Sequence, residues 1–120
     1  MTNKRQELGR KGEEIAASHL LKLGYRIIER NFRCRLGEID MVAEEAGELV
    51  FVEVRTRSSH VFGLPEESVG WDKQARLRRL AQYYLISHRQ SQCRCRFDVV
   101  SVTMDAQTGK KQVKVIKDAF

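Results

Sequence analysis

Residues 49–57, with the sequence LVFVEVRTR, form the most strand-like run of the chain. Valine and phenylalanine favour strands because branched and aromatic side chains pack well on a pleated surface. Alternation along the run puts its valines on one face and Phe51, Glu53 and the two arginines on the other. A carboxylate within an apolar strand costs free energy unless a partner compensates its charge. The run therefore predicts a central strand whose Glu53 needs a partner.

The rest of the chain alternates between helical and extended patterns. Apolar residues recur near helical spacing in residues 3–23 and 72–88, which are predicted as helices. Further strands are predicted at residues 25–32, 38–44, 96–103 and 112–117. The order α-β-β-β-α-β-β predicts an α/β fold with a mixed central sheet of about five strands flanked by helices. Since no repeat or linker interrupts the sequence, residues 1–120 are expected to form a single domain.

Asp40 is predicted to lie directly opposite Glu53. If Ala46 and Gly47 form the two-residue loop of a hairpin, the register pairs the two acids on one face. Carboxylates about 5 Å apart repel by about 3 kcal/mol at an effective dielectric constant of about 20. A divalent cation would offset this repulsion, and so would ion pairs with the arginines of the same run. A register shift of one residue would instead move Asp40 to the other face.

Positive charge is concentrated in the second half of the chain. The net charge is +6, and residues 71–96 hold seven lysines or arginines against Asp72 alone. A one-sided basic surface is typical of proteins that bind polyanions, although a solvated helix face has the same composition. The sequence has no membrane-spanning apolar run and no signal-like N-terminus, so a cytoplasmic protein without a membrane partner is expected. Together, the acid pair and the basic helix are typical of metal-assisted phosphodiester hydrolysis.

Six spaced motifs resemble those of a known family. They are Gly9-x-x-Gly12-Glu13-x-x-Ala16, Arg30-Asn31, Gly37-Glu38-Ile39-Asp40, Phe51-Val52-Glu53-Val54-Arg55-Thr56-Arg57, Phe62-Gly63 and Arg96-Phe97-Asp98-Val99. On these motifs the chain resembles the YraN-like family of small bacterial proteins over residues 8–120. That family is similar to archaeal Holliday junction resolvases and to the wider restriction-endonuclease-like superfamily.

The resemblance implies a restriction-endonuclease-like core with an active site of the form D-x(n)-E-x-K. It identifies Asp40 and Glu53 as catalytic ligands of Mg²⁺ or Mn²⁺, and Glu13 on the first helix as a further ligand. Arg55 stands where the superfamily usually has lysine. Because a guanidinium group stays protonated, Arg55 is not expected to act as a base, but it can neutralise charge on the scissile phosphate. Lys73, at the start of the second helix, is a candidate replacement for the missing lysine.

Nucleic acid, most simply DNA, is the predicted partner. Lys73, Arg76 and Arg79 on the second helix are predicted to bind backbone phosphates, as is Arg30 at the end of the first strand. Cleavage of branched or recombination intermediates follows from the resemblance alone, and symmetric cleavage of two strands would require a homodimer. The alternatives are a non-catalytic nucleic-acid-binding protein with a degenerate site and a structural module whose acids form only ion pairs.

Three more residues each have two interpretations. Trp71 could stack on a base, although a tryptophan that covers the core at the helix start is the favoured interpretation. Asp98 could support the site from a distance or be an ordinary edge residue. Glu38, two residues before Asp40, could join the acids from outside or simply face solvent.

Overall fold

The computed structural model describes residues 4–58, 69–90, 92–105 and 107–120, and the Phe62-Gly63 motif lies outside these ranges. The described elements are α1 Lys4–Lys22, β1 Arg26–Cys34, β2 Gly37–Glu45, β3 Glu48–Ser58, α2 Trp71–Ser87, β4 Cys95–Met104 and β5 Lys111–Ile116. Their order is the predicted one, and their ends differ from the predicted ends by one or two residues. Neither described helix is long and apolar enough to cross a membrane.

The five strands form one mixed sheet in the order β1-β2-β3-β4-β5. Neighbouring strands are antiparallel except β3 and β4, which run parallel. Parallel neighbours need a crossover connection, and α2 lies within it. The observed architecture therefore confirms the predicted α/β fold with a mixed central sheet flanked by helices.

Each face of the sheet has its own apolar core. On one face, the small residues of α1 and Leu20 pack against Val50 and Val52. On the other face, Leu80 and Tyr84 of α2 pack against Phe51. The alternating side chains of β3 thus contribute to both cores, which makes it the central strand that its sequence predicts.

The hairpin between β2 and β3 has the predicted two-residue loop. Ala46 and Gly47 both have positive φ, 53° and 79°, as a type I′ turn requires. The antiparallel ladder continues from this loop to Met41, which pairs with Val52. In this register the next pair would be the two predicted acids, Asp40 and Glu53. The predicted register is therefore confirmed up to the pair just before them.

Helix α1 crosses β3 in close contact at Gly12. A Cβ atom at this position would overlap the Thr56 side chain, including its Cβ. Glycine in a helix interior costs about 1 kcal/mol relative to alanine, and here the cost permits the close approach of helix and strand. This approach positions the next residue, Glu13, close to the end of the β2–β3 ladder.

Gly12→Ala is expected to destabilise the protein by about 1–3 kcal/mol, because the overlap with Thr56 outweighs the gain in helix propensity. Gly9→Ala is the matched control, since a Cβ atom there meets nothing within 4 Å. That variant is expected to gain up to about 1 kcal/mol. Urea unfolding of both variants is the measurement, and equal stabilisation by both would contradict the close approach.

Candidate metal centre

Four carboxylates meet at the end of the β2–β3 hairpin that lies away from its loop. They line a cleft of about 420 Å³ between α1, the two strands and α2. The charged residues of its lining are Glu13, Glu38, Asp40, Glu53, Lys73 and Arg76. The cleft therefore unites the predicted acids with two cations of the basic helix.

Asp40 lies in the middle of this cluster. Its Oδ2 accepts a hydrogen bond of 2.8 Å from the N–H of Val54, just beyond the last paired residues. Burial, and then the negative charge of Glu53, raise the pKa of Asp40 to about 7, although the Val54 hydrogen bond opposes this shift. Ionising Asp40 beside Glu53 is therefore costly unless a cation approaches the two acids.

Glu13 and Glu38 approach Asp40 from α1 and from the start of β2. One oxygen from each of these three acids lies within 4.8 Å of the others. In the amide orientation that turns its nitrogen towards the acids, Asn31 donates to Glu13 Oε1 at 3.2 Å and to Glu38 Oε1 at 2.9 Å. Burial, and then the charge of Glu38, raise the pKa of Glu13. Converging carboxylate oxygens are the donors that Mg²⁺ and Mn²⁺ prefer, so these residues fit a divalent cation.

The three acids whose oxygens converge differ in one residue from the three predicted metal ligands. They include Glu38, whereas Glu53 contacts Asp40 and forms an ion pair with the Nζ of Lys73. The sequence signal for Glu38 was its two-residue spacing from Asp40. That spacing could not distinguish a ligand from an exposed acid, because the contact through Asn31 depends on how β1 packs against α1.

Lys73 reaches the acid cleft, whereas Arg55 lines a neighbouring pocket. Lys73 lies in the first turn of α2, and its ammonium group pairs with the buried carboxylate of Glu53. Arg55 lies two residues beyond Glu53 on β3 and is not part of the lining of the acid cleft. An amine is therefore present beside the acids, on α2 rather than on β3.

The other predicted phosphate ligands lie on several surfaces. Arg76 lines the acid cleft. Arg30 lies on the α1 side, where it forms an ion pair of 2.8 Å with the exposed Glu14. Arg79 is exposed on α2 and does not line the cleft. Lys73 and Arg76 are thus the cations of α2 that line the acid cleft.

Trp71 is 87% exposed at the first position of α2, so the interpretation that it covers the core is wrong. The buried stripe of α2 begins at Leu77, six residues later. At 3.6 residues per turn, this spacing puts Trp71 about 120° around the helix from Leu77, away from the face that packs on the sheet.

Asp98 belongs to a separate buried network rather than to the cleft. It is 0% exposed and accepts hydrogen bonds from Tyr25 Oη at 2.7 Å, Arg96 Nε at 2.9 Å and the Asp118 N–H at 3.0 Å. Arg96 also pairs with the glutamates on either side of the β2–β3 loop, at 2.7 and 2.9 Å. The motif that contains both residues therefore stabilises the sheet.

The fold first defines the class of the protein, an α/β protein with a mixed five-stranded sheet. Its element order and its sheet are those implied by the resemblance to the restriction-endonuclease-like superfamily. The comparisons with known proteins then identify the family.

The family model described as uncharacterised protein family UPF0102 matches residues 12–102. The chain is 56% identical to a UPF0102 protein of Moorella thermoacetica, with both chains covered completely. It is 48% identical to a UPF0102 protein of Caldicellulosiruptor saccharolyticus over 98% of this chain and 99% of that relative. The chain belongs to the UPF0102 family, which is the YraN-like group that its motifs resemble.

One solved structure, that of Pyrococcus furiosus SfsA in complex with Ca²⁺, is similar over 92% of this chain and 62% of that chain. The TM-score is 0.42 and the sequence identity is 14%. This chain thus spans less than two thirds of the length of that protein.

Proposed function

We propose that this protein is a metal-dependent endonuclease that binds DNA in the cytoplasm and hydrolyses its phosphodiester bonds. The observation that supports this proposal best is one cleft that holds three converging carboxylates, the carboxylate of Glu53 and the amine of Lys73. Acids that are costly to ionise together favour a bound cation, and a neighbouring amine favours a phosphate. The family resemblance supports the same chemistry.

Each residue of the cleft has a role in this proposal. Asp40, with Glu13 and Glu38, would hold Mg²⁺ or Mn²⁺, and Glu53 would complete the shell from the other strand. When bound, such a cation polarises a phosphate and lowers the pKa of a coordinated water. Lys73 would hold a phosphate oxygen from its place beside Glu53, with which it already pairs.

The substrate class proposed is DNA, with branched or recombination intermediates as the first candidates. Lys73 and Arg76 lie at the cleft, so they would contact the phosphates nearest the cut. Cleavage of two strands at a four-way junction would require two copies of the site, and therefore a homodimer.

The experiment is a cleavage assay on single-stranded, duplex, flap and four-way DNA with Mg²⁺, Mn²⁺ or EDTA. We expect cleavage that EDTA abolishes and that Asp40→Asn lowers by roughly 100-fold or more. Glu44→Gln is the matched control, because this exposed acid lies on the same strand outside the cleft and pairs with Arg26. It is expected to keep the wild-type rate.

The ion pair between Glu53 and Lys73 also supports a second candidate function. It compensates one acid of the cleft without a metal, as expected of a nuclease fold that binds nucleic acid but no longer cuts it. DNA binding by the wild type without cleavage of any substrate under any metal would favour this non-catalytic protein over the nuclease.

A further inference from the structure

A second pocket, of about 550 Å³, adjoins the acid cleft. The pocket and the cleft share Glu53, Val54 and Lys73 as lining residues. A single ligand could therefore extend along β3 from one into the other. The second pocket is also lined by Arg5 of α1 and Arg57 of β3. We call it the arginine pocket, defined by Arg5, Arg55, Arg57 and Lys73.

The described lining of the arginine pocket is strongly cationic. Four of its side chains are positively charged and one, Glu53, is negatively charged. The acid cleft has the opposite balance, with four carboxylates and two cations. The charge of the lining thus changes sign along β3. A polyanion would match this change if one phosphate lay at a cation in the acid cleft and the next phosphate lay at the guanidinium groups.

The chemistry of the lining points to phosphate. Guanidinium groups bind phosphate through paired, planar hydrogen bonds, which makes arginine better suited than lysine to grip such a group. Ser101 also lines the pocket, and its hydroxyl group is a further donor. Arg55 and Arg57 are also partly buried, so solvent screens their charges less than it screens those of a fully exposed helix face.

We propose that the arginine pocket binds a phosphate group of the nucleic acid adjacent to the phosphate at the acid cleft. This proposal rests on the proposed function, because it needs a nucleic acid that crosses the cleft. The phosphate has two possible sources with the same anionic oxygens. It is either a terminal monoester at a strand end or an internal diester of a strand that continues through the pocket.

The test is a binding titration of fluorescent single-stranded DNA in EDTA, so that cleavage does not enter. The oligonucleotides carry a 5′-phosphate, a 3′-phosphate or hydroxyl groups at both ends. Arg5→Ala and Arg57→Ala are compared with Arg94→Ala, a matched control whose exposed side chain lies outside both pockets. Circular dichroism and the unfolding midpoint confirm that each variant is folded.

We expect each pocket variant to weaken binding roughly tenfold and to reduce the slope of log affinity against log salt by about one. For a terminal phosphate, the wild type prefers one phosphorylated end and the pocket variants lose that preference. For an internal phosphate, the pocket variants weaken binding equally for all three oligonucleotides. Pocket variants that match Arg94→Ala throughout would overturn the proposal.

A second probe separates this proposal from the proposed function. Inorganic phosphate in EDTA is expected to raise the melting temperature of the wild type and of Arg94→Ala, but not that of Arg57→Ala. An equal response in all three proteins would overturn the pocket even if the protein cleaves DNA. Conversely, a response confined to the proteins with an intact pocket would support it even if no DNA is cleaved.

Discussion

Asp98→Ala is expected to lower the free energy of unfolding by about 3–5 kcal/mol, because it removes a fully buried carboxylate, one of the three that pair with the buried Arg96. Arg96 is 8% exposed, and Asp98 accepts two of its hydrogen bonds, at 2.9 and 3.2 Å. The substitution also removes the acceptor of the Tyr25 hydroxyl group and of the Asp118 amide. Urea unfolding measures the change.

Glu44→Ala is the control for this prediction. Glu44 forms an ion pair of similar length, 2.8 Å, with Arg26, but both side chains are largely exposed. Exposed pairs contribute about 0–1 kcal/mol, so this variant should unfold close to the wild type. A loss of under 1 kcal/mol in Asp98→Ala would contradict a structural role for the buried network.

Lys73→Ala is expected to reduce the rate of DNA cleavage by roughly 100- to 1000-fold, the range for removal of a group that stabilises transition-state charge. The expectation follows from its place in the cleft, where its ammonium group pairs with Glu53. Arg55→Lys is expected to bring no gain, since Arg55 lines the arginine pocket instead. Single-turnover rates on the preferred substrate are the measurement.

Lys22→Ala serves as the control for Lys73, because this exposed lysine ends α1 outside both pockets. Its cleavage rate is expected to equal that of the wild type. A wild-type cleavage rate in Lys73→Ala, or a several-fold faster rate in Arg55→Lys, would show that Lys73 does not replace the lysine usual at position 55. The native site would then be compromised at Arg55.

The fold could be predicted because its signals are local. Alternation in β3 and the helical spacing of apolar residues in α1 and α2 each depend on a few neighbouring residues. The register of β2 against β3 followed from one turn, since Ala46 and Gly47 adopt the positive φ angles of a type I′ loop. Such a loop sets every later pair of the ladder, which is how Asp40 could be placed near Glu53.

The details of the site depend on tertiary packing, so the sequence could not predict them. Lys73 reaches Glu53 because the crossover sets the first turn of α2 beside β3, and no local pattern reports that position. Glu38 joins the acids through Asn31, whose left-handed backbone (φ 56°) is set where β1 nears its end. Trp71 was misplaced because apolar character alone does not tell which side of a helix faces the sheet.

The arginine pocket is the clearest case of a feature hidden from the sequence. Arg5 lies in the first turn of α1, about fifty residues before Arg55 and Arg57. Only the packing of α1 across the sheet brings these side chains to one pocket. Alternation puts the arginines of β3 on the same face as Glu53, so the sequence allowed them either to pair with the acids or, for Arg55, to neutralise charge on the scissile phosphate.

Mn²⁺ binding by calorimetry, with the wild type and Asp40→Asn, tests the central claim most directly. The wild type is expected to bind Mn²⁺, whereas Asp40→Asn should bind it roughly 100-fold more weakly or not at all. Because the pKa of Asp40 is about 7, wild-type affinity should also rise roughly tenfold from pH 6 to pH 8 as the proton is lost. Equal Mn²⁺ affinity in both proteins, or no binding by the wild type at pH 8, would contradict a metal centre at these acids.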